Sequence, residues 1–150
     1  MQTEVIDTSR VEEFIQKDSL DSFYIACCFL FKLMTYEQFV KCAIFVIEKE
    51  MEIYKDYPKA LNTFRETIED VKVNRLRKCC AGDYRICDDK TMFISWQIEM
   101  FGTNAGSKAI NGEKLVWENY ETFKLASDIA EKKIWLELLN YGLSILKGNN

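Results

Sequence analysis

TYEQFVKCAIFVIEKEMEIY, Thr35 to Tyr54, returns its apolar side chains by threes and fours: Tyr36, Phe39, Val40, Ala43, Ile47, Met51 and Tyr54. That spacing is the signature of a helix with one buried face. Thr35 and Gln38 have the spacing of a capping box, which fixes where the helix starts. Glu50 falls inside the stripe, between Ala43, Val46 and Tyr54, where a carboxylate is out of place. The expected resolution is an ion pair near the helix end, with Arg65 or a lysine as partner.

The same periodicity extends in both directions. Ser9 and Glu12 repeat the box spacing and predict a short first helix. From Leu20 to Met34 the chain is apolar nearly all round, as a buried helix is. Pro58, the only proline, suits the first position of a further helix. That helix carries Leu61, Phe64, Ile68, Val71 and Leu76 inward and is expected to end near Gly82. Asp88 or Asp89 would cap the next, with Met92, Phe93, Trp96 and Met100 inward and a stop at Gly102.

GTNAGSKAING, Gly102 to Gly112, reads as a flexible linker rich in small residues. Beyond it, Val116, Tyr120, Phe123, Ala130, Ile134, Leu138, Tyr141 and Ile145 hold one face. A second apolar side, through Trp135, Leu136, Leu139, Leu143 and Leu146, predicts a central helix packed by several neighbours. Asp128 and Glu131 again have capping spacing, so a break is expected near Ser127. The whole predicts an all-α fold: one domain over 1–150, an irregular bundle of six or seven helices.

Composition bounds function. Among 150 residues there is no histidine. Histidine is the usual general base, proton shuttle and metal ligand near neutral pH. Its absence excludes Ser-His-Asp and Cys-His nucleophile pairs, imidazole-held haem and the usual histidine-bearing zinc sites. Carboxylate, lysine, tyrosine and thiolate chemistry remain. Hydrophobic residues at 48% and charged residues at 29% are those of a folded globular chain. The net charge of −4 argues against general affinity for nucleic acid or anionic membranes and favours a basic partner.

MQTEVIDTSRVEEF at the N-terminus is acidic where a signal peptide is basic. The longest apolar run, Phe23 to Phe31, falls short of the ~20 residues that span a bilayer. A cytoplasmic protein with reduced thiols is expected, with no membrane association.

Few residues carry a chemical motif. Gly102-Thr-Asn-Ala-Gly106-Ser-Lys108 lacks the spacing, the hydroxyl residue after lysine and the preceding strand of a phosphate loop. Cys79, Cys80 and Cys87, near Asp88 and Asp89, match no paired-cysteine metal spacing. Cys27, Cys28 and Cys42 lie on apolar segments and read as core. No metal and no cofactor are expected. Lys72, Arg75, Arg77, Lys78 and Arg85 concentrate in KVNRLRKCCAGDYR against one acid, Asp83. They offer an alternative basic patch for nucleic acid, with Tyr84 able to stack on a base; the competing role is to complement a helix C-terminus.

The opposite face of the Thr35–Tyr54 segment is the better candidate. Glu48, Glu52 and Asp56 recur at i, i+4, with Phe45 projecting beside them, and an antiparallel hairpin at Pro58 would bring Glu66 near Glu48. An acidic ridge with one aromatic anchor suits docking of a basic protein.

Two resemblances point the same way. Asp56-Tyr-Pro-Lys-Ala-Leu-Asn-Thr-Phe64 resembles the second helix of a tetratricopeptide repeat, although the ~34-residue period does not recur. The helical order, with Cys42-Ala43 before Tyr57-Pro58 and a late helix bearing Ala126 and Ala130, is similar to all-α bacterial toxin-immunity proteins. Both imply protein binding. The expectation is a non-enzymatic binding module, in its most specific form an immunity protein covering a basic, nuclease-like toxin. A nucleic-acid-associated factor using the Lys72–Arg85 cluster and a small enzyme using Glu50 or a cysteine are the alternatives.

Overall fold

A computed structural model describes residues 5–76 and 89–148. The fold is all-α: α1 (Ser9–Gln16), α2 (Leu20–Lys32), α3 (Tyr36–Ile53), α4 (Pro58–Lys72), α5 (Asp89–Ala109) and α6 (Trp117–Leu146). Among the described residues there is no strand and no helix long and apolar enough to cross a membrane.

The caps explain several boundaries. At α3 the Thr35 hydroxyl accepts from the Gln38 N–H at 3.2 Å, and the Thr35 N–H donates to the Gln38 side chain at 2.9 Å. Ser19 and Ser22 build the equivalent box at α2. The Ser9–Glu12 box does not form. Ser9 is already helical and its N–H donates to Asp7 Oδ1 at 3.0 Å, while Thr8 occupies the cap position. Pro58 opens α4 as its spacing implies. That helix closes well before Gly82: Asn74 turns left-handed at φ 60° and the Arg75 N–H returns to the Asp70 carbonyl at 2.8 Å.

α6 organises the bundle. It is continuous for 30 residues, or about 45 Å, and does not break at Ser127. Asp128 there pairs with Lys124 on the preceding turn at 3.3 Å and caps nothing. α3 runs antiparallel to α6, since Phe45 meets Tyr141 and Lys49 meets Glu137. α2 runs parallel to it, with Tyr24 against Trp135, and with Leu30 and Met34 crowding Gly142. α1 folds back on α2, and ion pairs join Glu12 to Lys147 and Asp18 to Lys132. α4 packs on α3, tied at its end by the Tyr36 hydroxyl donating to the Val71 carbonyl.

The supposed linker at 102–112 is mostly helix. α5 continues through Gly102 and Gly106 to Ala109, because those glycines are contact surface. A Cβ on Gly102 would lie 2.5 Å from Glu131 Cγ, and one on Gly106 would lie 2.7 Å from the Phe123 ring. Two missing methyl groups let α5 and α6 pack as a close antiparallel hairpin. The true connector is shorter. Asn111 and Gly112 adopt left-handed φ of 56° and 73°, and the Gly112 N–H reaches the Ser107 carbonyl at 3.1 Å. That arrangement is a Schellman-type stop.

The core joins Phe23, Phe31, Phe39, Ile47, Phe93, Ile98, Leu138 and Leu139 with smaller neighbours from every long helix. The α3 stripe is buried or half-buried throughout, as its spacing implies. The α5 face differs. Trp96 and Met100 are exposed, and Thr91, Ile94, Gln97 and Ile98 point inward beside Phe93. α5 is covered by α6 on one side and by α2 and α3 on others, which rotates its buried arc away from the Trp96–Met100 line.

Candidate functional site

The acidic ridge starts on α3 and ends in the turn that follows it. Glu48 and Glu52 stand on the last two turns of the helix, and Asp56 lies beyond its end at Ile53. All three are exposed, and none forms an ion pair among the described residues. Glu48 is close enough to Tyr141 for its charge to help hold the phenol above its ordinary pKa, after the larger effect of burial.

Phe45 is not the projecting anchor its position suggested. It is half-buried and stacked on Tyr141, with centroids 4.6 Å apart and planes 13° from parallel. The antiparallel course of α6 brings Tyr141 opposite it. Lys49 covers the ring, with Nζ 5.3 Å from the centroid, and reaches Glu137 at 3.7 Å. The ridge is thus carboxylates flanking a partly covered aromatic pair. Beside it a groove of about 290 Å³ runs between α3, α5 and α6, lined by Glu52, Ile53, Phe101, Lys108 and Lys133 among others. Glu66 is exposed on α4, where Arg65 shares its shallow hollow and makes the local charge mixed.

The described part of the basic cluster is internally compensated. Lys72 meets Glu69 at 3.4 Å, and Arg75 meets Asp70 at 3.9 Å. Arg77, Lys78 and Arg85 lie outside the described residues, as do Tyr84, Cys79, Cys80, Cys87 and Asp88.

Glu50 has no solvent exposure, and among the described residues neither carboxyl oxygen has a hydrogen-bond partner. The expected pairing with Arg65 does not occur: Arg65 is exposed and donates to Asn62 at 3.1 Å. Burial pushes the Glu50 carboxyl up to about 8. It is a neutral acid sealed among Val46, Ile47 and their neighbours. A general acid or base must come within hydrogen-bond reach of its substrate, and none of the cavities described above is lined by Glu50. Cys42 is equally unsuited to nucleophilic work. It is buried with Sγ 3.9 Å from Met34 Sδ, and burial raises its thiol to about 12. The thiolate is the reactive form of cysteine. Among the described residues no cluster of three acids or cysteines could hold a metal ion.

Two features escaped the sequence reading. Glu131, half-buried where α6 meets Gly102, is pushed up to about 7 by burial and then by Glu99 and Asp128, against the pull of Lys124. On the first half of α6, Trp117, Leu125 and Ile129 are 83%, 63% and 60% exposed. The Leu125–Ile129 pair at i, i+4, off the main stripe, was the available signal. Compared with known protein families, curated proteins and solved structures, the chain matches none.

Proposed function

We propose that this protein acts by binding another protein, and that the partner presents a basic surface to the ridge of Glu48, Glu52 and Asp56. One observation carries the reading: Glu48 and Glu52 on one face of α3 and Asp56 in the turn beyond it are exposed and form no ion pair among the described residues, with Glu48 close to the Tyr141 that stacks on Phe45. Such charges raise encounter rates with an oppositely charged partner, and a flanking aromatic surface supplies contact area once docked. The most specific form of the reading is an immunity-type neutraliser of a basic, nuclease-like toxin, acting in the cytoplasm. Binding of nucleic acid through Lys72 and Arg75 is less favoured because both are paired with acids of α4. Catalysis by Glu50 or Cys42 is less favoured because both are sealed.

Affinity capture from the source cells tests it, with the intact chain as bait and the combined Glu48→Lys, Glu52→Lys, Asp56→Lys variant as control. The expected result is a basic protein retained by the wild type, released by moderate salt, and absent from the triple variant. A partner held equally by both baits places the binding surface elsewhere.

A further inference from the structure

Two helices of this protein end in the same way, and what differs is the residue after the asparagine. At the close of α4, Asn74 is left-handed at φ 60° and its N–H donates to the Val71 carbonyl at 3.1 Å. The next N–H, that of Arg75, returns to the Asp70 carbonyl at 2.8 Å. At the close of α5, Asn111 is left-handed at φ 56° and its N–H donates to the Lys108 carbonyl at 3.0 Å. The Gly112 N–H then returns to the Ser107 carbonyl at 3.1 Å. Asparagine suits both stops because its short polar side chain tolerates the left-handed region. Both asparagines are exposed.

The following residue decides what the exposed amide can do. An asparagine side chain brings its Cγ within reach of the next backbone nitrogen, and closure between them gives a five-membered succinimide. A side chain on that next residue crowds the ring, and glycine has none. Asn111 is the only asparagine in the sequence that is followed by glycine. A Cβ built on Gly112 would meet nothing within 4 Å, so the fold adds no crowding of its own. At Asn74 the arginine supplies the crowding, and its N–H is held by the shorter bond.

We propose that Asn111 is a modification site: it loses its side-chain amide in the folded protein through a succinimide with Gly112, and the product loosens the connector between α5 and α6. Hydroxide removes the Gly112 N–H proton, and the nitrogen lone pair attacks Asn111 Cγ. The Cγ–Nδ2 bond breaks and the nitrogen leaves as ammonia, taking a proton from water and regenerating hydroxide. Water then adds to one of the two ring carbonyls. Breaking the bond from Cγ to the Gly112 nitrogen gives aspartate. Breaking the bond from the Asn111 carbonyl carbon gives isoaspartate, with the backbone continuing through Cβ. Nothing is oxidised or reduced.

Ring closure consumes the Gly112 hydrogen that bonds Ser107, so the stop opens as the ring forms. Either product adds a carboxylate at the C-terminal end of α5, where the helix dipole disfavours negative charge. Isoaspartate also lengthens the backbone inside a turn closed by the Glu113 N–H on the Ile110 carbonyl at 3.1 Å. The inference does not rest on the acidic ridge.

Incubation of the intact folded protein in mildly alkaline buffer, with peptide mapping by mass spectrometry over several weeks, tests it. The expected result is conversion at Asn111 at least about tenfold faster than at Asn74, with aspartate and isoaspartate both formed. Arg75→Gly should bring Asn74 to the rate of Asn111. Converted protein, separated by anion exchange, should melt below the fresh protein. An intact Asn111, an Asn74 that keeps pace with it, or an Asn74 still inert in Arg75→Gly each overturns the site. Converted protein that melts together with the fresh protein overturns the loosening.

Discussion

Replacing Glu50 should stabilise this protein, and the gain should depend on pH. An unperturbed glutamate ionises near 4.3, whereas burial without a partner moves Glu50 to about 8. Between those values the unfolded chain has lost the proton and the folded chain keeps it. Folding then takes up a proton, and stability falls as pH rises through the window. Below about pH 4 both states are protonated and the dependence vanishes. Above about pH 8 both are ionised and the destabilisation is complete. At pH 7 the difference is nearly three pH units at roughly 1.4 kcal/mol each, or about 3 kcal/mol after allowing for relaxation around the site.

Glu50→Gln removes the ionisation and should gain about 3 kcal/mol at pH 7, falling to within about 1 kcal/mol at pH 5. Glu50→Met also removes a buried polar group with no partner, worth a further ~1–2 kcal/mol. Urea denaturation of wild type and both variants at pH 5, 7 and 8 measures this directly. The wild-type midpoint should decline across the series, and the variants should be flatter. A destabilised Glu50→Met at pH 7, or a wild type that becomes more stable from pH 5 to 8, would refute the assignment of Glu50 as an unpaired buried acid.

Three further outcomes follow from the packing. Gly106→Ala should cost about 1–3 kcal/mol net, despite the better helix propensity of alanine, because the added carbon meets the Phe123 carbonyl oxygen at 2.8 Å and backbone cannot step aside; a calorimetric melt that rises would remove the close-contact account of α5 and α6. Phe45→Ala should cost about 1–2 kcal/mol in a urea titration, less than the ~3–5 kcal/mol of a fully buried phenylalanine, because its ring is half-buried on Tyr141; a loss of the larger size would mean the ring belongs to the core alone. Cys42 should resist alkylation at pH 8 in the folded protein and react only on unfolding, since burial holds its thiol near 12; peptide mapping that finds it labelled as fast as a free thiol would contradict that burial.

Where the sequence was legible, the signal was local. The Thr35–Gln38 box and the α3 stripe lie within one helix; hydrogen bonds three residues apart form the box, and helical periodicity alone turns the stripe inward. Misreadings arose where one local pattern serves two tertiary purposes. Gly102 and Gly106 fit a linker if only their backbone freedom is counted, and a helix contact if their missing side chains are. What decides is the matching spacing across the hairpin, with Ser127 and Glu131 opposite the first glycine and Phe123 opposite the second. Ser127, Asp128 and Glu131 likewise imitate a helix start, yet Asp128 bonds Lys124 and Glu131 packs on α5.

The candidate site divides along the same line. That Glu48 and Glu52 share an outer face follows from helical angle, and both are exposed. That Phe45 is half-covered follows from the direction of α6, which no residue of α3 specifies. Glu50 is the sharpest case: its inward position was readable from the stripe, but the absence of a partner was not. Sequence reasoning supplies a counter-ion because an unpaired buried charge is prohibitively costly. The protein meets that cost by keeping the proton, a solution that leaves no mark in the spacing of residues.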